Sequence, residues 1–255
     1  MPPRAFAGIN DGGPAAFYWG LPPMTRLLLT CFLVTGLGAL VGVLPYTHMY
    51  LDWHYLLRVP PQVWRLLLNF TFIGSPSFGY LIRLIWLVQY GGQYERAKFA
   101  HSAADAATML LFGMASLLLL DLALPPARIG FHGLSLLYML VYAWSRANPT
   151  AQVSFMGLLT LPGLYLPGVF VAMDLLQGQS VAAPLLGIAA GHLYYFLTEV
   201  YPLTSGRHII QTPQWLARAI SRWGLGAVPI QQVNPVNPSD HGFRAFTGSG
   251  RRLAG

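Results

Sequence analysis

Charge is scarce in this 255-residue chain, and cysteine is almost absent. Charged residues make up 9% of the sequence, against about 25% in an ordinary soluble domain, while hydrophobic residues make up 55%. This composition excludes a disordered protein and argues against a soluble enzyme. The one cysteine, Cys31, excludes an intramolecular disulfide framework and any multi-cysteine metal site. The composition instead favours a single bundle of membrane helices followed by a tail.

Six apolar stretches are long enough to cross a membrane as helices, which takes about 20 predominantly apolar residues. They lie at residues 25–44, 77–94, 105–124, 129–145, 153–173 and 181–201. We therefore predict an all-α membrane protein. Residues 1–24 form a cytosolic N-terminal segment, residues 25–202 a six-transmembrane helical bundle, and residues 203–255 a flexible cytosolic tail with one short helix near 213–223.

Lysine and arginine are unevenly distributed about these stretches. If the N-terminus is cytosolic, eleven basic residues lie on the cytosolic side and three on the other, and Arg83 lies within a span. The positive-inside rule then places both termini in the cytosol. The formal charge of +7 is spread between apolar stretches, so we expect the lipid bilayer as a partner and no nucleic acid.

The connection between the first two stretches, residues 45–76, is too apolar for a solvated loop. Aromatic rings with a polar edge are favoured at the membrane interface. The aromatic residues of this connection are Tyr46, Tyr50, Trp53, Tyr55, Trp64, Phe70 and Phe72. We therefore predict a large interfacial first loop, which would also keep the glycosylation sequon at Asn69 unmodified.

A series of short motifs, in one order along the chain, resembles the Derlin family of the rhomboid superfamily. The series extends over about residues 20–230 and the last ten residues. Its motifs are Pro23-Met24-Thr25-Arg26, Trp64-Arg65, Gln89-Tyr90 with Glu95, Asn148 with Val153-Ser154-Phe155, Tyr165-Leu166-Pro167, Gly187 to Leu197 with Tyr201-Pro202, and Thr212-Pro213-Gln214.

The resemblance implies a six-transmembrane rhomboid-like bundle in the endoplasmic reticulum membrane. It also implies a non-catalytic role in endoplasmic-reticulum-associated degradation, where misfolded protein clients move toward the cytosol. The implied partners are a ubiquitin ligase complex and the valosin-containing AAA ATPase, and both homo- and hetero-oligomers are open. No metal or organic cofactor is implied. In an organism with complex plastids, a Derlin-like protein could instead serve protein import.

An active rhomboid protease uses a serine and a histidine. The resemblance places Ser135 at the nucleophile, but the position of the histidine, three residues before Gly187, holds Pro184. Proline has no side-chain base that could activate a serine. His192 lies eight residues beyond Pro184, roughly 12 Å along a helix, and would need a register shift to replace the missing base. We therefore expect a pseudoprotease.

Two other functions compete with this interpretation. One is an intramembrane serine protease that uses Ser135. The other is a small-molecule transporter, against which the lack of an evident inverted repeat counts. Cleavage of a substrate by the wild type and by Ser135→Ala distinguishes the protease from the pseudoprotease.

Two pairs of residues have predicted structural roles. Gly187 and Gly191 lie one helical turn apart, so we expect them to let another helix approach the sixth span closely. The resemblance to rhomboids implies that this helix is the fourth span. The resemblance assigns Trp64 and Arg65 to positioning the first loop in the membrane. A simple interface anchor, in which Trp lies at the headgroups and Arg extends toward water, is the alternative.

Four polar residues within or near the spans are predicted to line a groove: Arg83, Ser135, His192 and Glu199. A charge inside a span is costly unless it is paired or hydrated. We expect Arg83 either to pair with Glu95 or Glu199 or to reach the lipid phosphates. His192 is interpreted as a hydrogen-bonding group between helices, not as a metal ligand.

The end of the tail resembles the SHP box, Phe-x-Gly-x-Gly-x-x-Leu, a peptide that docks on the valosin-containing AAA ATPase. The four defining positions are Phe246, Gly248, Gly250 and Leu253. Phe246 and Leu253 supply two apolar anchors, and the glycines let the backbone lie close to a partner's surface. Residues 246–253 are thus the predicted ATPase-binding motif.

Overall fold

The structure is a computed structural model, and it describes residues 13–57, 59–124, 128–155, 159–207 and 209–223. These residues are mostly helical and include a two-stranded hairpin. The helices are α1 (Gly13–Trp19), α2 (Pro23–Leu40), α3 (Tyr46–Met49), α4 (Trp53–Leu57), α5 (Arg65–Leu68), α6 (Phe78–Trp86), α7 (Gly92–Lys98), α8 (Ala103–Ala123), α9 (Gly133–Ala147), α10 (Leu166–Leu176), α11 (Ala182–Tyr195), α12 (Tyr201–Ser205) and α13 (Gln214–Arg222). The strands are β1 (Gln152–Phe155) and β2 (Leu159–Pro162), which pair antiparallel.

In the part of the chain that the structure describes, two helices are long and apolar enough to cross a membrane, judged by length and composition. They are α2, with 18 residues and a mean hydropathy of 1.5, and α8, with 21 residues and a mean hydropathy of 1.9. Only 50% and 44% of their apolar windows are buried, and side chains such as Val34, Leu40 and Leu119 are exposed. The exposed faces of α2 and α8 are so apolar that they are better suited to contact with lipid than to contact with water.

Helical segments also occupy the predicted second, fourth and sixth spans. The second runs through α6, a π-helical turn at Leu87–Gly91 and α7 without a break. The sixth runs through α11, a π-helical turn at Phe196–Val200 and α12. The fourth is α9, of 15 residues. The helical class is therefore as predicted, whereas the number of membrane spans stays a prediction.

The fifth predicted span, residues 153–173, is wrong as a continuous helix. The chain instead forms the β1–β2 hairpin, a 3-10 turn and α10. Pro162 would lack an N–H and clash with the preceding turn inside a helix, and here it ends β2. Pro167 falls in the first turn of α10, where its missing N–H costs nothing. The helical part of this region has 11 residues.

Helix α9 is the centre of the bundle. Most of its residues from Gly133 to Ser145 are buried, and α8, α10, α11 and the first π-helical turn pack around it. Beside it the rings of Trp86 and Phe170 stack, with centroids 3.5 Å apart and an interplanar angle of 5°. A polar side chain on α9 therefore lies inside the protein, where polar groups are normally hydrogen-bonded.

Hydrogen bonds between distant segments define two ends of the bundle. At the first-loop end, the backbone N–H of Leu51 donates to the carbonyl of Gly130, just before α9, at 2.8 Å. At the opposite end, the start of α2 meets α7 through Thr25 and Glu95. The first loop is thus an ordered set of three short helices packed on one end of the bundle.

Helix α13 confirms the short helix expected near 213–223 and packs on α8 at the opposite end. Leu216 and Ile220 are buried in this contact, and the Thr212 hydroxyl, just before α13, donates to Asp105 in the first turn of α8. This part of the predicted tail is therefore attached to the bundle. The predicted domain boundaries stay predictions, and the SHP-like residues 246–253 lie outside the described residues.

Candidate functional site

The Trp-Arg pair of the first loop separates into an outer and an inner residue. Trp64 is 46% exposed, whereas Arg65 is 6% exposed. The Arg65 guanidinium donates to the carbonyls of Thr47 and Tyr50 and lies 4.9 Å from the ring centroid of Tyr55. Arg65 therefore joins α5 to α3 through two carbonyls at the end of α3 and to α4 through the Tyr55 ring.

A buried polar cluster joins the first loop to α8 and α9. Asn69 Oδ1 lies 3.0 Å from His132 Nδ1, and His132 Nε2 lies 3.4 Å from Asp121 Oδ1. The other Asp121 oxygen accepts from Trp53 Nε1 at 3.0 Å. Asn69, Asp121 and His132 are each at most 2% exposed. The cluster fixes the loop to two helices through side chains that have little contact with water.

Arg83 pairs with Asp174, not with the expected Glu95, Glu199 or lipid phosphates. Its Nη2 lies 3.0 Å from Asp174 Oδ1, and its Nη1 donates to the Ile73 carbonyl at 3.0 Å. The Tyr138 hydroxyl donates to the second Asp174 oxygen at 2.7 Å. The earlier expectation fails because Glu95 lies at the opposite end, whereas the fold brings the last turn of α10 next to α6. A charge that is costly alone is stabilised here by an opposite charge and further hydrogen bonds.

Ser135 lies at the close contact between α9 and α11. Its side chain is fully buried, and its Oγ has no hydrogen-bond partner among the described residues. A Cβ atom on Gly187 would collide with the Ser135 carbonyl oxygen. A Cβ on Gly191 would lie 2.9 Å from Tyr142 Cδ1 and 3.2 Å from the Met139 carbonyl. The structure therefore places both glycines against α9, where close helix approach requires a small residue.

The histidine of the sixth span bonds to a tyrosine. His192 Nδ1 lies 2.8 Å from the Tyr142 hydroxyl, and His192 is exposed. Pro184 is a buried residue in the first turn of α11. Neither residue gives Ser135 a hydrogen-bonded base, so the described geometry lacks the serine–histidine contact that activates a nucleophile.

Glu95 joins two of the sequence motifs. Its carboxylate accepts from the backbone N–H groups of Met24 and Thr25 at 2.9 and 2.7 Å, and from the Thr25 hydroxyl at 2.8 Å. The first N–H groups of a helix have no partner within the helix, so Glu95 caps α2 from α7. Burial raises the pKa of the Glu95 carboxyl, and these hydrogen bonds with the nearby charge of Arg96 act against that rise.

Within the described ranges, no three His, Cys, Asp or Glu side chains are grouped so that they could hold a metal ion. A cavity of about 20 Å³ lies beside Glu95, between α2, α7 and α8. It has room for about one water molecule.

A model of the Der1-like family matches residues 21–214 of the chain. The chain belongs to the Der1-like family. Among its relatives, Derlin-1 of Arabidopsis thaliana is 39% identical over 220 residues, which cover 86% of this chain and 82% of the relative. Derlin-1.1 of Zea mays is 36% identical over 241 residues, covering 94% and 98%. Derlin-1 of Oryza sativa subsp. japonica is 36% identical over 244 residues, covering 94% and 98%.

The match to the Der1-like family confirms the Derlin resemblance, and the apolar helices agree with a membrane protein. Residues 21–214 include every cluster described above. The family's location in the cell and the topology of this chain stay predictions.

The four predicted groove residues have separate surroundings in this Der1-like chain. Arg83 bonds to Asp174, Ser135 has no partner among the described residues, and His192 bonds to Tyr142. Glu199 forms an exposed ion pair with Lys98 at the opposite end. The structure places none of the four within hydrogen-bond distance of another, and a shared groove stays a prediction.

Sequence reasoning missed Asp121 and Asp174. Both are acidic residues in otherwise apolar stretches, and an acid at membrane depth almost always has a partner. The predicted fifth span ended at Met173, one residue before Asp174. The rule that pairs intramembrane acids with intramembrane bases would have joined Arg83 to Asp174.

Proposed function

We propose that this Der1-like protein is a non-catalytic component of endoplasmic-reticulum-associated degradation, which helps misfolded proteins cross the membrane toward the cytosol. The observation that carries the proposal is the buried Arg83–Asp174–Tyr138 network beside the short helix α10. A polar polypeptide segment faces a high barrier in a bilayer, because its backbone groups lose water without gaining partners. Polar groups at membrane depth and a thinner membrane both lower that barrier.

Short elements support a locally thin membrane. The 11 residues of α10 are about 16 Å long and the 15 residues of α9 about 22 Å. The hydrocarbon core of a bilayer is about 30 Å thick. A bilayer around elements this short adapts by thinning, at a cost of fractions of a kcal/mol per Å.

The Arg83–Asp174 pair supplies the polar groups. Ionisable residues in membrane proteins generally face the bundle interior or a water-filled cavity. Arg83 keeps 11% of its side chain exposed, against 2% for Asp174, so Arg83 is the more accessible residue of the pair. It also donates to a backbone carbonyl, that of Ile73. In our proposal, a client's carbonyl groups take the place of this acceptor during passage.

A physical role, and no peptide-bond cleavage, agrees with the surroundings of Ser135. The serine is buried without a hydrogen-bond partner among the described residues, and His192 bonds elsewhere. Pro184 occupies the position at which the resemblance expects the base. We therefore propose a pseudoprotease in the endoplasmic reticulum membrane, with both termini in the cytosol.

The experiment measures decay of a misfolded lumenal client in cells that lack their own Derlin. We expect the wild type to restore decay and Arg83→Leu/Asp174→Leu to fail, although the double variant leaves no unpaired charge. Lys98→Gln, which removes an exposed charge at the opposite end, is the control and should restore decay. Wild-type decay with the double variant at normal protein level would contradict the role of the pair. If the wild-type protein does not restore decay of the client, the proposed role in degradation is contradicted.

The tail is proposed to recruit the AAA ATPase through residues 246–253. Burying a large apolar side chain contributes about 1.5–3 kcal/mol, so Phe246→Ala or Leu253→Ala should weaken binding roughly 10- to 150-fold. A peptide of residues 240–255 is titrated against the purified ATPase, with Arg251→Ala as the control that should lose little. Equal affinity of the wild-type and Phe246→Ala peptides would remove the SHP-box interpretation.

A further inference from the structure

Helix α13 presents two opposite faces. Leu216 and Ile220 are buried against α8. Trp215, Arg218 and Arg222 are exposed and fall within an arc of about 60° at 100° per residue. This second face points about 150° away from the first. The side of α13 turned from the bundle thus carries one large aromatic ring and two positive charges.

The exposed face has no negative charge of its own. Residues 214–222 contain no Asp or Glu, and Asp240 is the one acidic residue after Glu199 in the sequence. Trp223, directly after the helix, is 73% exposed and Trp215 is 61% exposed. Two exposed tryptophans beside arginines without acidic neighbours match the chemistry of a membrane surface better than that of water.

Helix α13 lies at the end of the bundle where α2 and α8 begin. Thr212 bonds to Asp105 and Thr108 in the first turns of α8, one of the two helices long enough to cross a membrane. At the start of the other, α2, Trp19 is 65% exposed and the Arg26 guanidinium lies 4.8 Å from its ring. Two tryptophan–arginine groups therefore lie at the same end of the bundle, where α2 and α8 begin.

We propose that α13 binds anionic phospholipid headgroups of the membrane in which this chain lies. Arg218 and Arg222 contact the phosphate and carboxylate groups, and Trp215 and Trp223 lie at headgroup depth. In the topology proposed above this is the cytosolic leaflet, whose anionic lipids attract basic segments.

The test uses the full-length protein in nanodiscs. In a Cys31→Ser background, Ser221→Cys on α13 carries a bimane label, and a trace lipid carries a nitroxide on its headgroup. We expect stronger quenching in discs that contain phosphatidylserine than in discs of phosphatidylcholine alone. High salt should weaken the difference, because it screens exposed charges.

The arginines decide the outcome. A basic residue near an anionic surface strengthens binding to that surface about fivefold. Arg218→Gln/Arg222→Gln should therefore weaken the binding of α13 to anionic headgroups about 30-fold and remove the extra quenching in discs that contain phosphatidylserine. Arg128→Gln, which removes an exposed charge at the first-loop end, should keep the effect. Equal quenching in both kinds of disc, or a phosphatidylserine effect that survives in the double variant, would overturn the proposal.

Adding glycerophosphate or the AAA ATPase to the nanodiscs tests whether this face of α13 binds something other than lipid. If soluble glycerophosphate abolishes the phosphatidylserine effect, the arginines bind free phosphate and the proposal is overturned. If quenching is absent until purified AAA ATPase is added, the face binds a protein and the proposal is likewise overturned. No client is degraded in this experiment, so its result is independent of the proposed role in degradation.

Discussion

The α9–α11 contact and the α6–α10 contact both bury polar side chains in the bundle, but they differ in whether those side chains have hydrogen-bond partners. At α9–α11, Ser135 has no partner in the described structure and the helices touch through Gly187 and Gly191. At α6–α10, both oxygens of Asp174 are used, one by Arg83 and one by Tyr138. The position that resembles a protease nucleophile is thus a packing contact, while the charges of Arg83 and Asp174 are paired at the α6–α10 contact.

The largest expected effect is at Asp174. Asp174→Ala leaves the Arg83 guanidinium buried without its counter-charge, and breaking a buried ion pair costs about 3–5 kcal/mol. We expect a clear loss of stability in thermal unfolding of the purified protein in detergent. The matched variant is Arg83→Leu/Asp174→Leu, which removes both charges and should recover most of the loss. Equal instability of the single and double variants would mean that the pair contributes packing and little charge stabilisation.

Glu95 provides a contrast to Asp174, because its buried carboxylate accepts hydrogen bonds from neutral groups and not from an arginine. Glu95→Ala leaves the N–H groups of Met24 and Thr25 without their acceptor, and an unpaired buried donor costs about 1–3 kcal/mol. The loss of stability should therefore be smaller than that of Asp174→Ala. Ala97→Gln, at a nearby exposed position on α7, is the control and should stay within about 0.5 kcal/mol of the wild type. If the Glu95→Ala protein were as stable as this control, the role of Glu95 as the cap of α2 would be contradicted.

Substitutions at the glycines test the packing contact itself. Gly187→Ala should cost about 1–3 kcal/mol, because its Cβ meets the Ser135 carbonyl, which is backbone and cannot move aside. Gly191→Leu should also loosen the contact, since its side chain meets Tyr142 and the Met139 carbonyl. The control is Gly168→Ala on α10, where a Cβ would meet nothing within 4 Å. Thermal unfolding in detergent that does not distinguish Gly187→Ala from Gly168→Ala would refute close packing.

The smallest expected effect is at Ser135. Ser135→Ala removes a buried hydroxyl that has no hydrogen-bond partner in the described residues, so stability should stay within about 0.5 kcal/mol of the wild type or rise slightly. Unfolding of the purified variant in detergent measures this. A loss of more than about 1 kcal/mol would reveal a hydrogen bond to the Ser135 hydroxyl.

The sequence was sufficient where local chemistry decides the structure. Apolar runs predicted α2 and α8, the Gly-x-x-x-Gly spacing predicted a close helix contact of the sixth span, and the motif series predicted the family. It was insufficient where distant segments meet. The partner of Arg83 depends on how α10 ends beside α6, and the hairpin before α10 depends on Pro162 and on pairing between β1 and β2. Glu95 was noted as part of a motif, but its role as a cap required the fold.

The central claim is that this Der1-like protein acts without Ser135 as a nucleophile, and the most direct measurement is the half-life of a misfolded lumenal client in cells that express only Ser135→Ala. We predict the wild-type half-life and the same set of client fragments, because the serine has no hydrogen-bonded base in the described structure. A longer half-life at normal Ser135→Ala protein level, together with loss of a client fragment that the wild type produces, would contradict the account and establish a protease.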